Sequence, residues 1–180
     1  MKKLFLLLTF ILVLPSLTAA QTYINEKGNF SVDIPDNWQV SIKNHDNSKT
    51  VSYGFIATLR EDNVVGVIGI AVLADNNIPA DMTFSSLPAD QQELIITAFV
   101  KKIQTDFDDT VIKSTTIENF YGKETLFITA SAKQNKRKVN IIFGFSMYQS
   151  VSCASTLITD DTKDKHKQDY YAVIKSFTPN

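Results

Sequence analysis

The sequence predicts an α+β fold: an antiparallel β-sheet of about six to seven strands flanked by helices. Three observations carry this expectation. Several segments alternate apolar and polar residues with the period of a half-buried strand, and two others repeat apolar residues at helical spacing. Successive strands are joined by turns too short for a parallel crossover, which leaves antiparallel pairing. The elements run strands, helix, strands, helix, an α+β order.

The chain opens with Lys2 and Lys3, an apolar run from Leu4 to Leu14, the breaker Pro15, and then Thr18, Ala19 and Ala20. A charged start, a short apolar stretch and a small-residue end are the order of a secretory signal peptide. Eleven apolar residues are too few for a bilayer, which takes about 20. The expected organisation is a signal peptide over 1–20 and a single domain over 21–180. The product is expected to be exported, periplasmic or secreted, without a transmembrane anchor after cleavage. No cysteine closes the leader, which argues against a lipid-anchored start.

Phe30, Val32 and Ile34 alternate with Ser31 and Asp33 and predict the first strand of the mature chain. Pro35-Asp36-Asn37 predicts a turn, since proline presets φ and Asp and Asn tolerate turn geometry. Trp38, Val40 and Ile42 alternate again, so a first hairpin or bend is expected. Asn44 to Lys49 reads as polar loop, and Tyr53 to Leu59 as the next strand. After a turn at Glu61-Asp62-Asn63, the apolar run Val64 to Ala74 predicts a strand covered on both faces. Asp75 to Pro88 reads as loop, with Pro88 opening a helix. Ile96, Phe99, Val100, Ile103 and Phe107 form the core stripe of that helix, widened by Leu94 and Ile95.

Strands are expected over Val111–Ile117 and from Leu126 to Ala132. A turn at Gln134–Arg137 leads into Val139, Ile141, Phe143, Phe145 and Met147, the most regular alternation in the chain. Val151–Ile158 predicts one more strand, carrying Cys153. Asp160 or Asp161 is the expected cap of a final helix whose core stripe is Tyr170, Val173, Ile174 and Phe177.

Composition excludes several function classes. Without Lys2 and Lys3 the chain has 16 basic and 19 acidic side chains, a net charge of about −3. That balance gives no reason to expect nucleic acid or an anionic membrane as the main partner. One cysteine permits no internal disulfide, so an apolar core must hold the domain.

Phe30-Ser31-Val32-Asp33-Ile34-Pro35 followed by Trp38 resembles the F-x-V-x-I-P-x-x-W start of the PsbP-like superfamily. Ser150-Val151-Ser152-Cys153 and the late Ile174-Lys175-Ser176-Phe177 are similar to that family's ending. The resemblance covers nearly the whole mature chain. It implies a six- or seven-stranded antiparallel sheet between helices. It also implies binding to other proteins, which is what photosystem extrinsic subunits, a nuclear-import factor, envelope proteins and effector chaperones of this family share. It carries over no catalytic residue.

The chemistry-bearing residues point the same way. His45 and His166 have no ligand spacing between them, and each reads as a solvated surface histidine. Asp106, Asp108 and Asp109 lack the glycine and glutamate of a calcium loop and read as a polar helix end. Ser146 lacks the second glycine of a hydrolase elbow. Cys153 reads as buried and structural. Gly66 and Gly69 form no nucleotide fingerprint and mark a bulge or close packing. No catalytic residue, metal or cofactor is therefore expected.

The one basic cluster, Lys133, Lys136, Arg137 and Lys138, falls on a hairpin tip and is the candidate contact for a protein partner. The expected function is that of an exported, non-enzymatic protein-binding or accessory domain of the cell envelope, its partner another envelope or secreted protein. Two alternatives stay open: a hydrolase-type enzyme whose site assembles only in three dimensions, and a carrier of a small apolar ligand. Cleavage between Ala20 and Gln21 is the first testable outcome. The intact mass of the exported protein should match Gln21–Asn180, allowing for cyclisation of the new N-terminal glutamine. A mature form retaining Lys2 and Lys3 would refute it.

Overall fold

The computed structural model describes residues 20–47, 50–59, 65–74, 78–160 and 164–179, with backbone alone over 42–47, 50–52 and 73–74. A seven-stranded antiparallel sheet forms the middle layer. It consists of β3 (Trp38–Asn47), β4 (Thr50–Leu59), β5 (Gly66–Ala74), β6 (Asp108–Phe120), β7 (Lys123–Gln134), β8 (Arg137–Tyr148) and β9 (Val151–Thr159). Their spatial order is β3-β4-β5-β9-β8-β7-β6. A second, three-stranded antiparallel sheet joins β1 (Ala20–Asn25), β2 (Phe30–Pro35) and β10 (Thr178–Pro179) in the order β1-β2-β10. The helices are α1 (Ala89–Asp106) and α2 (Lys165–Ser176). The expected α+β fold with a seven-stranded sheet is observed. The predicted leader lies outside the described residues apart from Ala20, the first residue of β1. Among the described residues no helix is long and apolar enough to cross a membrane.

Three hairpins build β6 to β9 as a meander. Each turns on two residues with positive φ: Tyr121-Gly122, Asn135-Lys136 and Gln149-Ser150. That is the geometry whose twist matches the flanking strands. Only one of the six residues is glycine, so strand pairing, and not turn chemistry alone, holds the other five in the left-handed region.

The sheet separates two apolar cores. Alternation along β8 sends Val139, Ile141, Phe143, Phe145 and Met147 to one side, where they pack with Leu126, Ile128, Phe84 and Ile103 of α1. Ile142 goes to the other side and joins Trp38, Phe55, Ile68, Leu157, Tyr170 and Phe177. Phe30, Val32 and Ile34 of β2 complete this second core, so the small sheet and α2 together roof one face.

Helix α2 sits close to the sheet because residue 144 has no side chain. A Cβ there would lie 2.7 Å from Ser155 Oγ and 2.9 Å from Tyr170 Oη. Tyr170 is fully buried and its hydroxyl is hydrogen-bonded to Ser155 Oγ at 2.9 Å. Trp38 Nε1 donates to Asp169 Oδ2 at 2.9 Å, and the Asp33 N–H donates to Ser176 Oγ at 2.8 Å. These bonds fix the helix along its length; those of Tyr170 and Trp38 satisfy polar groups that burial would otherwise penalise, while the Asp33–Ser176 bond is exposed.

Of the hairpin or bend expected at Pro35-Asp36-Asn37, the bend is observed: β2 pairs with β1 and β10, while β3 pairs with β4, so the turn leads from one sheet into the other. Several expectations need correction. Residues 44–47, read as loop, continue β3, because pairing with β4 (Asn44 opposite Tyr53, Asn47 opposite Thr50) holds polar residues extended. Strand β1 has no counterpart in the sequence pattern; four of its six residues are exposed and give no apolar period. The run to Ala74 is not sealed on both faces: Val67 and Gly69 are half-buried and Ala71 is exposed.

Leu94 is 69% exposed and does not join the α1 stripe. Asp108 and Asp109 begin β6 and are not a helix end. Asp160 caps no helix; its Oδ1 accepts from the Val65 N–H at 3.0 Å, and α2 starts after Asp164. The turn read at Glu61-Asp62-Asn63 and the alternative cap Asp161 lie outside the described residues. Trp38 and Phe177 are 2% and 4% exposed, the core positions expected of them. Trp38→Ala should lower stability by about 3–5 kcal/mol, as large-to-small changes of buried aromatics do. Gly144→Ala should also lower it, by pushing Tyr170 off the sheet; chemical denaturation followed by fluorescence measures both.

Candidate functional site

The β7–β8 hairpin brings the four predicted cations together. Lys133, Lys136, Arg137 and Lys138 are all exposed, and Lys133 faces Lys138 across the pair. Two like charges opposed in a sheet repel. The fold relieves this from elsewhere in the chain. Asp109 lies in an irregularity of β6, where its φ is 49° and the register to β7 shifts. Its carboxylate meets Lys133 Nζ at 2.6 Å. The hydrogen bond from Lys133 holds the Asp109 carboxyl below the usual range, and the same contact raises Lys133. Arg137 lies 3.9 Å from Asp160. Lys136 and Lys138 have no acidic partner among the described residues. The tip is therefore two matched and two unmatched cations, not four free ones.

Neither acidic partner is legible in the sequence. Asp109 and Asp160 are 24 and 23 residues from the cations they face, and only the β6–β7 and β8–β9 pairings bring them there. A polar cleft of about 440 Å³ lies below the tip, lined by Lys133, Lys138, Lys113, Ser131 and Asn140. Lys113 Nζ donates to Asn140 Oδ1 at 3.0 Å.

A second concave surface lies on the other side of the sheet. Helix α1 packs against β6 and covers that end of its face, while α2 packs on β2 and β9 on the opposite face. Beyond α1 the sheet is open over β4, β5 and β9. There Ile56, Gly69, Ala71, Ala154 and Thr156 floor a groove of about 280 Å³. Its wall is Phe99 against Phe143, with ring centroids 4.1 Å apart. A Cβ at Gly69 would meet nothing within 4 Å, so that glycine faces open groove and is not a packing contact. Gly66 does mark a close approach: a Cβ there would lie 2.9 Å from Leu59 and 3.2 Å from Trp38.

The chemically distinctive buried groups serve packing. His166, read as a surface residue, is 3% exposed, edge-on to Trp38, with Nδ1 2.6 Å from Thr159 Oγ1. Such a hydroxyl–imidazole contact resembles a nucleophile and its base, but both residues are buried and the bond ties α2 to β9. The described backbone of β3 includes His45 but not its side chain. Ser146 lies within β8, opposite Cys153. Among the described residues no three His, Cys, Asp or Glu side chains gather to hold a metal ion.

Lys123 is buried at the start of β7. Its ammonium donates to the Phe177 carbonyl, and Tyr148 and Phe177 present their rings to it, each centroid at 5.4 Å. The carbonyl follows the last turn of α2, where the helix dipole favours a cation. Desolvation lowers the Lys123 pKa, opposed by Cys153.

Neither a known family pattern nor a curated protein sequence matches this chain. Solved structures do. Cyanobacterial PsbP (CyanoP) from Synechocystis aligns over 92% of this chain and 95% of its own, with a TM-score of 0.57 at 15% identity. The fold is PsbP-like. A protein from Bacteroides thetaiotaomicron aligns over 89% of this chain with a TM-score of 0.55 at 13% identity, and this chain spans 48% of that one. In β9, Cys153 packs against the second core as a buried free thiol. Desolvation pushes its pKa up to about 12, with Lys123 opposing the rise. A thiol reagent at about pH 8 should therefore label Cys153 slowly in the native protein and quickly in denaturant, because the thiolate is the reactive form. Rapid native labelling would show an accessible, activated thiol instead.

Proposed function

We propose that this chain is an exported, non-enzymatic protein-binding domain of the cell envelope, and that the β7–β8 tip contacts its partner. The observation that carries the reading is the pair of exposed cations without an acidic partner among the described residues: Lys136 in the two-residue hairpin turn and Lys138 near the start of β8. A rigid turn presents charge at little further ordering cost on binding. The leader-like first twenty residues support export, and the PsbP-like fold supports a binding role by resemblance.

A second reading, a carrier of a small apolar ligand, is favoured by the groove beside α1, whose floor and wall are largely apolar. The groove is open along the sheet, which suits a protein surface at least as well as an enclosed ligand.

The tip is tested with the double variant Lys136→Glu, Lys138→Glu, by measuring association with a partner captured from the native envelope fraction. The fold should be kept, since the carboxylate introduced at position 138 would face Lys133 with the opposite charge. Association should slow several-fold at low ionic strength, with the difference shrinking as salt screens charges beyond roughly 8–10 Å. Unchanged association at low salt would remove the tip as the contact.

A further inference from the structure

The outer strand β6 carries a surface that the reading above does not use. Among the described residues five large apolar side chains are exposed, and three follow this edge: Val111 at 60%, Ile117 at 42% and Tyr121, in the turn after it, at 61%. As the last strand of the sheet, β6 pairs only with β7 among the described residues, so a row of its backbone donors and acceptors faces outward with no described strand beside it. Edges of this kind are normally blunted by bulges, lysine or proline. The first half of β6 has such devices: register shifts between Asp108 and Val111 and between Ile112 and Ser114, with Lys113 beside them. The second half has none. From Ser114 to Phe120 it pairs with β7 without interruption, and its only charge is Glu118.

That uninterrupted run is seven residues long, and its middle residue is Ile117. Two identical antiparallel strands are related by a twofold axis perpendicular to the sheet, so one residue of each must face its own copy. With Ile117 on the axis, Thr116 faces Glu118 of the second copy, Thr115 its Asn119 and Ser114 its Phe120. Isoleucine then meets isoleucine, a hydroxyl meets a carboxylate twice, and no like charges stand directly opposite. Thr116 Oγ1 already donates to Glu118 Oε1 at 2.9 Å within the strand, so the two groups share a face and a reach. With Glu118 on the axis two carboxylates would be opposed, and with Thr116 on the axis the pair would run into the irregular half of the strand.

We propose that a second copy of this chain docks on β6 in the register centred on Ile117, joining two sheets of seven strands into one of fourteen. A contact made mainly by one strand is small, so the dimer forms at micromolar and higher concentration.

Cysteine cross-linking and sedimentation test it on the mature chain. Residues opposed in an antiparallel pair have Cα atoms about 4.5–5.5 Å apart, inside the range that a disulfide spans. Ile117→Cys should therefore give a covalent dimer on mild oxidation at least tenfold faster than Val111→Cys, which is the more exposed site but off the axis. Buried Cys153 should stay unreactive. Sedimentation of the unmodified chain should show a concentration-dependent dimer that Thr115→Lys, at an exposed edge position, returns to monomer. If Ile117→Cys does not fold, the sedimentation pair decides alone. A chain that is monomeric at every concentration, or equal cross-linking through positions 111 and 117, overturns the proposal.

Discussion

The packing of this domain depends on one close approach, the tyrosine of α2 set against a strand that has no side chain at the point of contact. Tyr170 reaches Ser155 only because Gly144 leaves the sheet bare between them. With the helix held there, Trp38 can reach Asp169 and His166 can reach Thr159. The same placement puts Phe177 beside Phe30 and its carbonyl over Lys123. A fully buried phenol hydroxyl without a partner would be costly, so the Tyr170–Ser155 bond is as much a condition of the core as its apolar contacts are. Desolvation raises the Tyr170 pKa, the sign of how dry that site is.

Unequal coverage follows from this arrangement. Each helix is too narrow to cover seven strands: α1 packs on β6 at one edge, and α2 lies on the opposite face against the central strand β9. What each leaves open differs in chemistry. The strands beside α1 present small and apolar residues, and the strands beyond α2 present lysines, hydroxyls and an asparagine. The alternation of β8 anticipates this: its apolar set faces α1, while Lys138 and Asn140 share the other face with Ile142 and Gly144.

Most strands, both helices and both core stripes are legible in the sequence because each has a local period. The match is closest where one face is fully buried, as in β8 and in α2. It fails where a neighbour, and not the segment itself, decides the conformation. Residues 44–47 are polar and would be loop alone; pairing with β4 makes them strand. His166 looks like a solvated histidine until Trp38, over a hundred residues earlier, closes over it. Lys123 follows the turn residues Tyr121-Gly122 and yet is a buried cation, because what compensates it is a carbonyl 54 residues further on. The cations of the candidate site are legible as a local cluster, whereas the acids that match half of them are contributed by other strands. The edge of β6 cannot be read at all, since being outermost is a property of strand order.

The small sheet sets the order in which the chain can become a protein. Strand β2 lies between β1, at the beginning of the domain, and β10, at its end. The Asp33 N–H finds Ser176 across 143 residues, and Phe30 packs on Phe177. A chain that emerges N-terminus first, from a ribosome or from a membrane pore, can form the β6–β9 meander from neighbouring residues as they appear. It cannot bury Phe30, Val32 and Ile34 in their native places until the last turn of α2 is out. Contacts of such separation are slow to form. The second core therefore closes only after α2 and β10 have emerged, and until then the domain remains a substrate for unfolding, threading and capture.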